Sequence, residues 1–186
     1  MLLVEDDKHL SDEICRIATD GGWNVLAERS VEQALFMAQN ECGRISLAIV
    51  DVMIPLNQED CDALDTEMNK RRQLAKTLIN RRDPIEPDAD QVRTIREQLD
   101  VIDFRIQKLV AIDGGLGFLR QAEAKGLLKN WHIGLCTARS NLENSIESLD
   151  LVKNRPGKWL GVFTKPLTPE KLLEILQHVS IGGRDE

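Results

Sequence analysis

Ser46–Pro55, SLAIVDVMIP, restricts the folds open to this chain more than any other stretch of it. Leu47, Ala48, Ile49 and Val50 form an unbroken apolar run, the pattern of a strand covered on both faces in a parallel sheet. The run meets a carboxylate, Asp51, where the strand should end. Pro55 has no N–H to give to a ladder, so no central strand continues past it. Open α/β sheets bind ligands at the carboxyl ends of their strands, which is where this acid falls. One such acid alone reads as a loop start or a helix cap, but three other apolar runs end on polar groups in the same way.

Taken in order, Leu2-Leu3-Val4 runs into Glu5-Asp6-Asp7. Ser11, followed by Asp12 and Glu13, predicts a helix start, with Ile14, Ile17 and Ala18 at helical spacing and Gly21-Gly22 as the stop. Trp23–Ala27 reads as a second strand, and Ser30 as the cap of a helix carrying Val31, Ala34, Leu35 and Ala38. With the Asp51 strand this makes β-α-β-α-β, the order that builds a parallel sheet with right-handed crossovers.

From about Asn57 to Val110 the alternation fails. Val92, Ile95, Leu99, Ile102, Ile106 and Leu109 are spaced three, four, three, four, three, an a/d seam. An earlier segment with Leu64, Met68, Leu74 and Leu78 has compatible but incomplete spacing. The two are joined by Asp83-Pro84-Ile85-Glu86-Pro87-Asp88, so they should fold back as an antiparallel helical hairpin. Gly114–Leu119 then leads into a helix and Trp131–Cys136 into a strand ended by Thr137. A helix over Ser140–Leu149 follows, then a strand over Trp159–Phe163 ended by Thr164, Lys165 and Pro166. Pro169 opens a last helix with Leu172, Leu173, Ile175, Leu176 and Val179.

Four apolar strands thus end in Glu5-Asp6, Asp51, Thr137 and Lys165, and a doubly wound sheet brings such ends to one edge. Three close carboxylates raise one another's pKa unless a cation sits among them, and Mg2+ is the hard ion that oxygen ligands suit. Lys165 adds a second, mobile positive charge and Thr137 a hydroxyl donor. Carboxylate nucleophile, divalent metal, ammonium and hydroxyl are a set suited to accepting a phosphoryl group. A haloacid-dehalogenase phosphotransferase also uses an aspartyl nucleophile after a strand, but wants a second Asp where Met53 stands.

Composition narrows the setting. A net charge of −7 argues against general nucleic-acid or anionic-membrane binding. The 57–110 segment holds ten basic and twelve acidic side chains, so its run Lys70, Arg71, Arg72, Lys76, Arg81, Arg82 reads as a solvated face. Cys15, Cys42, Cys61 and Cys136 lack CxxC or Cys/His spacing and fit reduced thiols of a cytoplasmic protein. His9, His132 and His178 stand in unrelated contexts, and Asp7 reads as a helix-start acid rather than a ligand. No run approaches the roughly 20 apolar residues of a membrane span. No leader is expected ahead of the first strand. No further domain is expected after Val179, so the chain would either act through contacts alone or stop short of one.

LLVEDD, AIVDVMIP, GLCTARS and VFTKP, in this order and rough spacing, resemble the CheY-like receiver domain of two-component response regulators. The resemblance covers residues 1–56 and about 111–181. It implies an α/β, doubly wound, five-stranded parallel sheet of flavodoxin-like order 2-1-3-4-5, with 57–110 inserted as the hairpin and 182–186 as a tail. It makes Asp51 the phosphoacceptor, with Glu5, Asp6, Asp51 and the backbone carbonyl of Met53 around Mg2+. Lys165 would pair with a phosphoryl oxygen, Thr137 would move toward the phosphate, and small Ala138 would leave access. A cis peptide bond is expected before Pro166. The implied protein is no enzyme beyond catalysing its own phosphorylation and dephosphorylation at Asp51. A histidine kinase or phosphotransfer protein would supply the phosphoryl group.

Two departures from that pattern stand out. The aromatic usual three positions before the lysine is Val162, and Phe163 falls one place later, on the opposite face by strand alternation. The hairpin interrupts the chain beside the site. Met53 and Arg139 occupy positions that in the family influence how long the phosphoryl group survives. Two further readings stay open: a homodimer through 57–110, and a phosphorylation-independent scaffold that binds through the hairpin.

Overall fold

A computed structural model describes residues 1–80, 89–138 and 158–182. Five strands form one wholly parallel sheet: β1 (Leu2–Val4), β2 (Leu26–Glu28), β3 (Leu47–Asp51), β4 (His132–Thr137) and β5 (Trp159–Thr164). Their order is β2-β1-β3-β4-β5, so the fold is the doubly wound one the apolar runs predict. Every residue of β3 is buried, as a central parallel strand requires.

Helices cover both faces. On one, α2 (Val31–Glu41) and α5 (Gly114–Ala124) close over Val4, Ala48, Val50, Trp131 and Leu135 with Ala34, Ala38, Phe118 and Leu119. On the other, α1 (Lys8–Asp20) and α6 (Pro169–Gly182) bury Ile14, Ile17, Leu172 and Leu176 against Leu3, Leu47 and Ile49. At about 25 cal/mol per Å2 of apolar area, these two cores dominate the folding free energy.

Two expected boundaries move. Helix α1 starts at Lys8, three residues before Ser11, because Asp7 Oδ1 accepts from His9 N at 2.9 Å and Leu10 N at 3.2 Å, which makes Asp7 the cap. Ser11 is buried inside the helix. Strand β2 is Leu26–Glu28 rather than Trp23–Ala27. Trp23 N instead donates to Ala18 O, completing the turn through Gly22 (φ 84°) that ends α1.

Helices α3 (Gln58–Asn80) and α4 (Ala89–Leu109) form the insertion. Arg71 Nε bonds Asp103 Oδ1 at 2.6 Å, and Glu67 Oε2 lies 3.7 Å from Arg105 Nη1. As the α3 number falls the α4 number rises, so the helices run antiparallel. Each predicted α4 seam residue is buried or half-buried. The α3 seam is incomplete because these polar pairs share the interface with its apolar residues, of which Leu64 and Met68 line a cleft with Ile106 and Leu74 a groove with Ile102. At the base, an Ile54–Ala111 bridge brings the two ends of the insertion side by side. The predicted turn at 83–88, the Ser140–Leu149 helix, Arg139 and the 183–186 end of the tail lie outside the described residues.

Candidate functional site

Acid residues arrive at the carboxyl rim of the sheet from two neighbouring strands. Glu5 and Asp6 follow β1 directly, where Glu5 N donates to Glu28 O at 3.0 Å and holds the loop to β2. Asp51 is the last residue of β3, and Met53 N donates to its Oδ1 at 3.1 Å. Gly114 and Gly115 let the start of α5 press against this turn: a Cβ on Gly115 would collide with Asp51 O, and one on Gly114 with Ile54 O. No other residue type fits at Gly115 without moving the Asp51 backbone.

The carboxylates of Glu5, Asp6 and Asp51 offer one oxygen each within 4.8 Å of one another. Lys165, just past β5, is tied down by Lys165 N donating to Thr137 O at 2.8 Å, and the Lys165–Pro166 peptide is cis, as expected. Its ammonium donates to Asp51 Oδ2 at 2.6 Å and to the Glu5 carboxylate at 2.7 Å. Residues from positions 5 to 165 thus converge on one spot. Thr137 ends β4 and is buried, while Ala138 beside it is exposed.

Electrostatics at the rim favour a further cation. Burial, opposed by Lys165 and reinforced by Asp51 and Asp6, pushes the Glu5 carboxyl up to about 7. Burial, reinforced by Asp51 and opposed by Lys165, lifts Asp6 to about 6. Lys165 is pulled down by burial, but Glu5 and Asp51 outweigh that and leave its pKa raised. One ammonium shared among three acids leaves excess negative charge. An all-oxygen donor set of this kind suits Mg2+ rather than a softer metal. Burial pushes the neighbouring Cys136 thiol up to about 12, so it packs rather than reacts.

The β5 departure is also visible. Val162 packs with the α2/α5 core, whereas Phe163 packs with the α1/α6 core over Gly134. An extra residue at Leu160, just ahead of Gly161 (φ 111°), shifts the β4–β5 register before them.

The site also includes groups with no sequence signal. Arg29, in the β2–α2 loop, donates twice to Asp6 O and twice to Asp65 of α3. A cleft of about 500 Å3 lies between the acid loop and the hairpin, lined by Asp6, His9, Asp65, Arg72, Ile106 and Lys165 among others. His9 is therefore near the site, while His132 and His178 lie elsewhere.

No protein-family model matches the chain, and neither does any curated protein. Solved structures do resemble it. A CheY-like response regulator receiver domain protein from Methanospirillum hungatei JF-1 is 18% identical, with TM-score 0.56 over 100% of this chain and 96% of that one. The chemotaxis response regulator CheY4 of Vibrio cholerae is 17% identical, with TM-score 0.54 over 96% and 95%. The receiver domain of a Francisella response regulator is 13% identical, with TM-score 0.56 over 98% and 97%. The fold is that of CheY-like receiver domains. Among the described residues, no helix is long and apolar enough to cross a membrane.

Proposed function

We propose that the chain is a phosphoacceptor receiver of a two-component response regulator, taking a phosphoryl group onto Asp51 from a histidine kinase or phosphotransfer protein. The observation that carries this reading is the convergence of Glu5, Asp6 and Asp51 with Lys165 Nζ 2.6 Å from Asp51. Glu5, Asp6, Asp51 and the Met53 carbonyl would hold Mg2+, which when bound neutralises the acids and the incoming phosphoryl oxygens. An Asp51 carboxylate oxygen attacks the phosphorus, the phosphorus–nitrogen bond to the donor histidine breaks, and the imidazole leaves. Lys165 holds Asp51 in place and then pairs with a phosphoryl oxygen. The new group carries about −1.5 to −2 charge and gives the Thr137 hydroxyl an acceptor to move toward.

Beryllofluoride with Mg2+ tests this. Binding should raise the melting temperature of the wild type and not of Asp51→Ala, and an unchanged wild type would favour the scaffold alternative. One observation supports a role for the hairpin in self-association. Val101 and Phe104 on α4 are 51% and 57% exposed, beside a groove between the helices lined by Leu74, Val101 and Ile102. A dimer through 57–110 would cover them. Sedimentation of the full chain and of Val101→Glu/Phe104→Glu reads this out: a dimer that dissociates in the variant supports it, and a wild-type monomer removes it.

A further inference from the structure

Arg29 ties its own β2–α2 loop to two other pieces of the chain. Its Nε and Nη2 donate to the Asp6 carbonyl at 3.1 and 2.9 Å. Its Nη1 and Nη2 also donate to Asp65 Oδ2 and Oδ1 of α3, at 2.9 and 2.7 Å, a bidentate pair. The Arg29 carbonyl accepts from the Cys61 thiol at 3.4 Å, one turn before Asp65, and Cys61 is fully buried. One residue therefore grips the acid loop on one side and the N-terminal half of the inserted hairpin on the other.

We propose that this joint couples the Glu5–Asp6–Asp51 site to the hairpin, with Asp65 as a positioning residue that acts through Arg29 on the Asp6 loop. The coupling rests on the receiver reading and names the element that responds to the state of the site. Groups that orient a metal's ligands from outside control its affinity. Asp65 has a second effect of the same sign: it balances the Arg29 charge, which otherwise stands uncompensated beside a site for a divalent cation. Linkage makes the effect reciprocal, since a docked α3 that raises cation affinity is itself stabilised by the cation. The hairpin can then report the filling of the site without an aromatic at Val162.

Asp65→Asn in the full chain tests the coupling, because it keeps the side-chain shape and removes the charge. Mg2+ is titrated calorimetrically, and hydrogen exchange is followed over residues 58–68 with and without Mg2+. The expected result is Mg2+ affinity about 10-fold weaker in Asp65→Asn, with slower exchange over 58–68 on adding Mg2+ to the wild type and a smaller effect in the variant. Asp103→Asn, which breaks the Arg71 pair farther along the hairpin, serves as the structural control and should leave Mg2+ affinity unchanged. Equal affinities for wild type and Asp65→Asn, an equal loss in Asp103→Asn, or wild-type exchange indifferent to Mg2+ would overturn the coupling alone. A wild type that binds no Mg2+ would overturn the receiver reading, and the coupling with it.

Discussion

The Lys165 ammonium stands 2.6 Å from Asp51 Oδ2 across 114 positions of sequence, and the same nitrogen reaches Glu5 at 2.7 Å. A half-buried cation already sits among the acids, and it sets what each substitution should do.

Replacing Lys165 with Met leaves Glu5 and Asp51 buried without their shared counter-charge. Breaking a buried ion pair from one side costs about 3 kcal/mol. Chemical denaturation should show that loss without Mg2+, and a smaller loss at millimolar Mg2+ because the acids then bind the ion with no ammonium competing. A loss that Mg2+ does not reduce would argue against an ion site there.

The pH dependence without metal runs opposite to that of an ordinary salt-bridged carboxylate. Glu5 and Asp6 titrate near 7 and 6 in the fold, above their ordinary values of 4.5 and 3.8. Between those limits the folded chain binds more protons than the unfolded one, so stability falls as pH rises. The raised Lys165 pKa acts only in the alkaline range. Thermal melts between pH 5 and 8 should show a melting temperature lower at pH 8 than at pH 5 by several °C, about 2–4 °C for each kcal/mol lost, and Mg2+ should flatten the trend. A melting temperature rising across that range would contradict the assigned burial.

Gly115→Ala places a methyl group against Asp51 O. The backbone must shift, at a cost of about 2–3 kcal/mol, and the shift moves Asp51 itself. Urea unfolding should show the loss, together with weaker beryllofluoride binding. Gly117→Ala, which meets nothing within 4 Å, is the control expected to be neutral in both.

Phe163→Leu tests the departure at β5. Phe163 packs on the α1/α6 core over Gly134, so the substitution should cost about 1 kcal/mol and leave phosphoryl transfer to Asp51 unchanged. A strong effect on transfer would mean that the ring takes part in the switch after all.

The sheet and the meeting of its strand ends were legible because buried parallel strands are apolar throughout and turn polar at one rim, so Glu5, Asp6, Asp51, Thr137 and Lys165 stood out one by one. The opposite facing of Val162 and Phe163 followed from alternation. The start of α1 was misplaced because Asp7 and Ser11 are both cap-type residues, and only the backbone N–H groups of His9 and Leu10 decide between them. Trp23 looked like strand but completes a helix end. Half of the hairpin seam was hidden because Arg71 and Glu67 pair with Asp103 and Arg105 at the interface, and polar pairs leave no mark in apolar spacing. Arg29 and Asp65 carried no pattern at all, since they are 36 positions apart and meet only once the insertion folds over the acid loop.

If Asp51 accepts a phosphoryl group with the help of the groups gathered around it, the modification should be visible by mass. The most direct measurement is intact-mass and peptide mapping after incubation with a small phosphodonor such as acetyl phosphate, with and without Mg2+. The expected result is Mg2+-dependent gain of one hydroxylamine-sensitive phosphoryl group on Asp51, absent from Asp51→Asn. No gain in the wild type, or a gain that persists in Asp51→Asn, would contradict it.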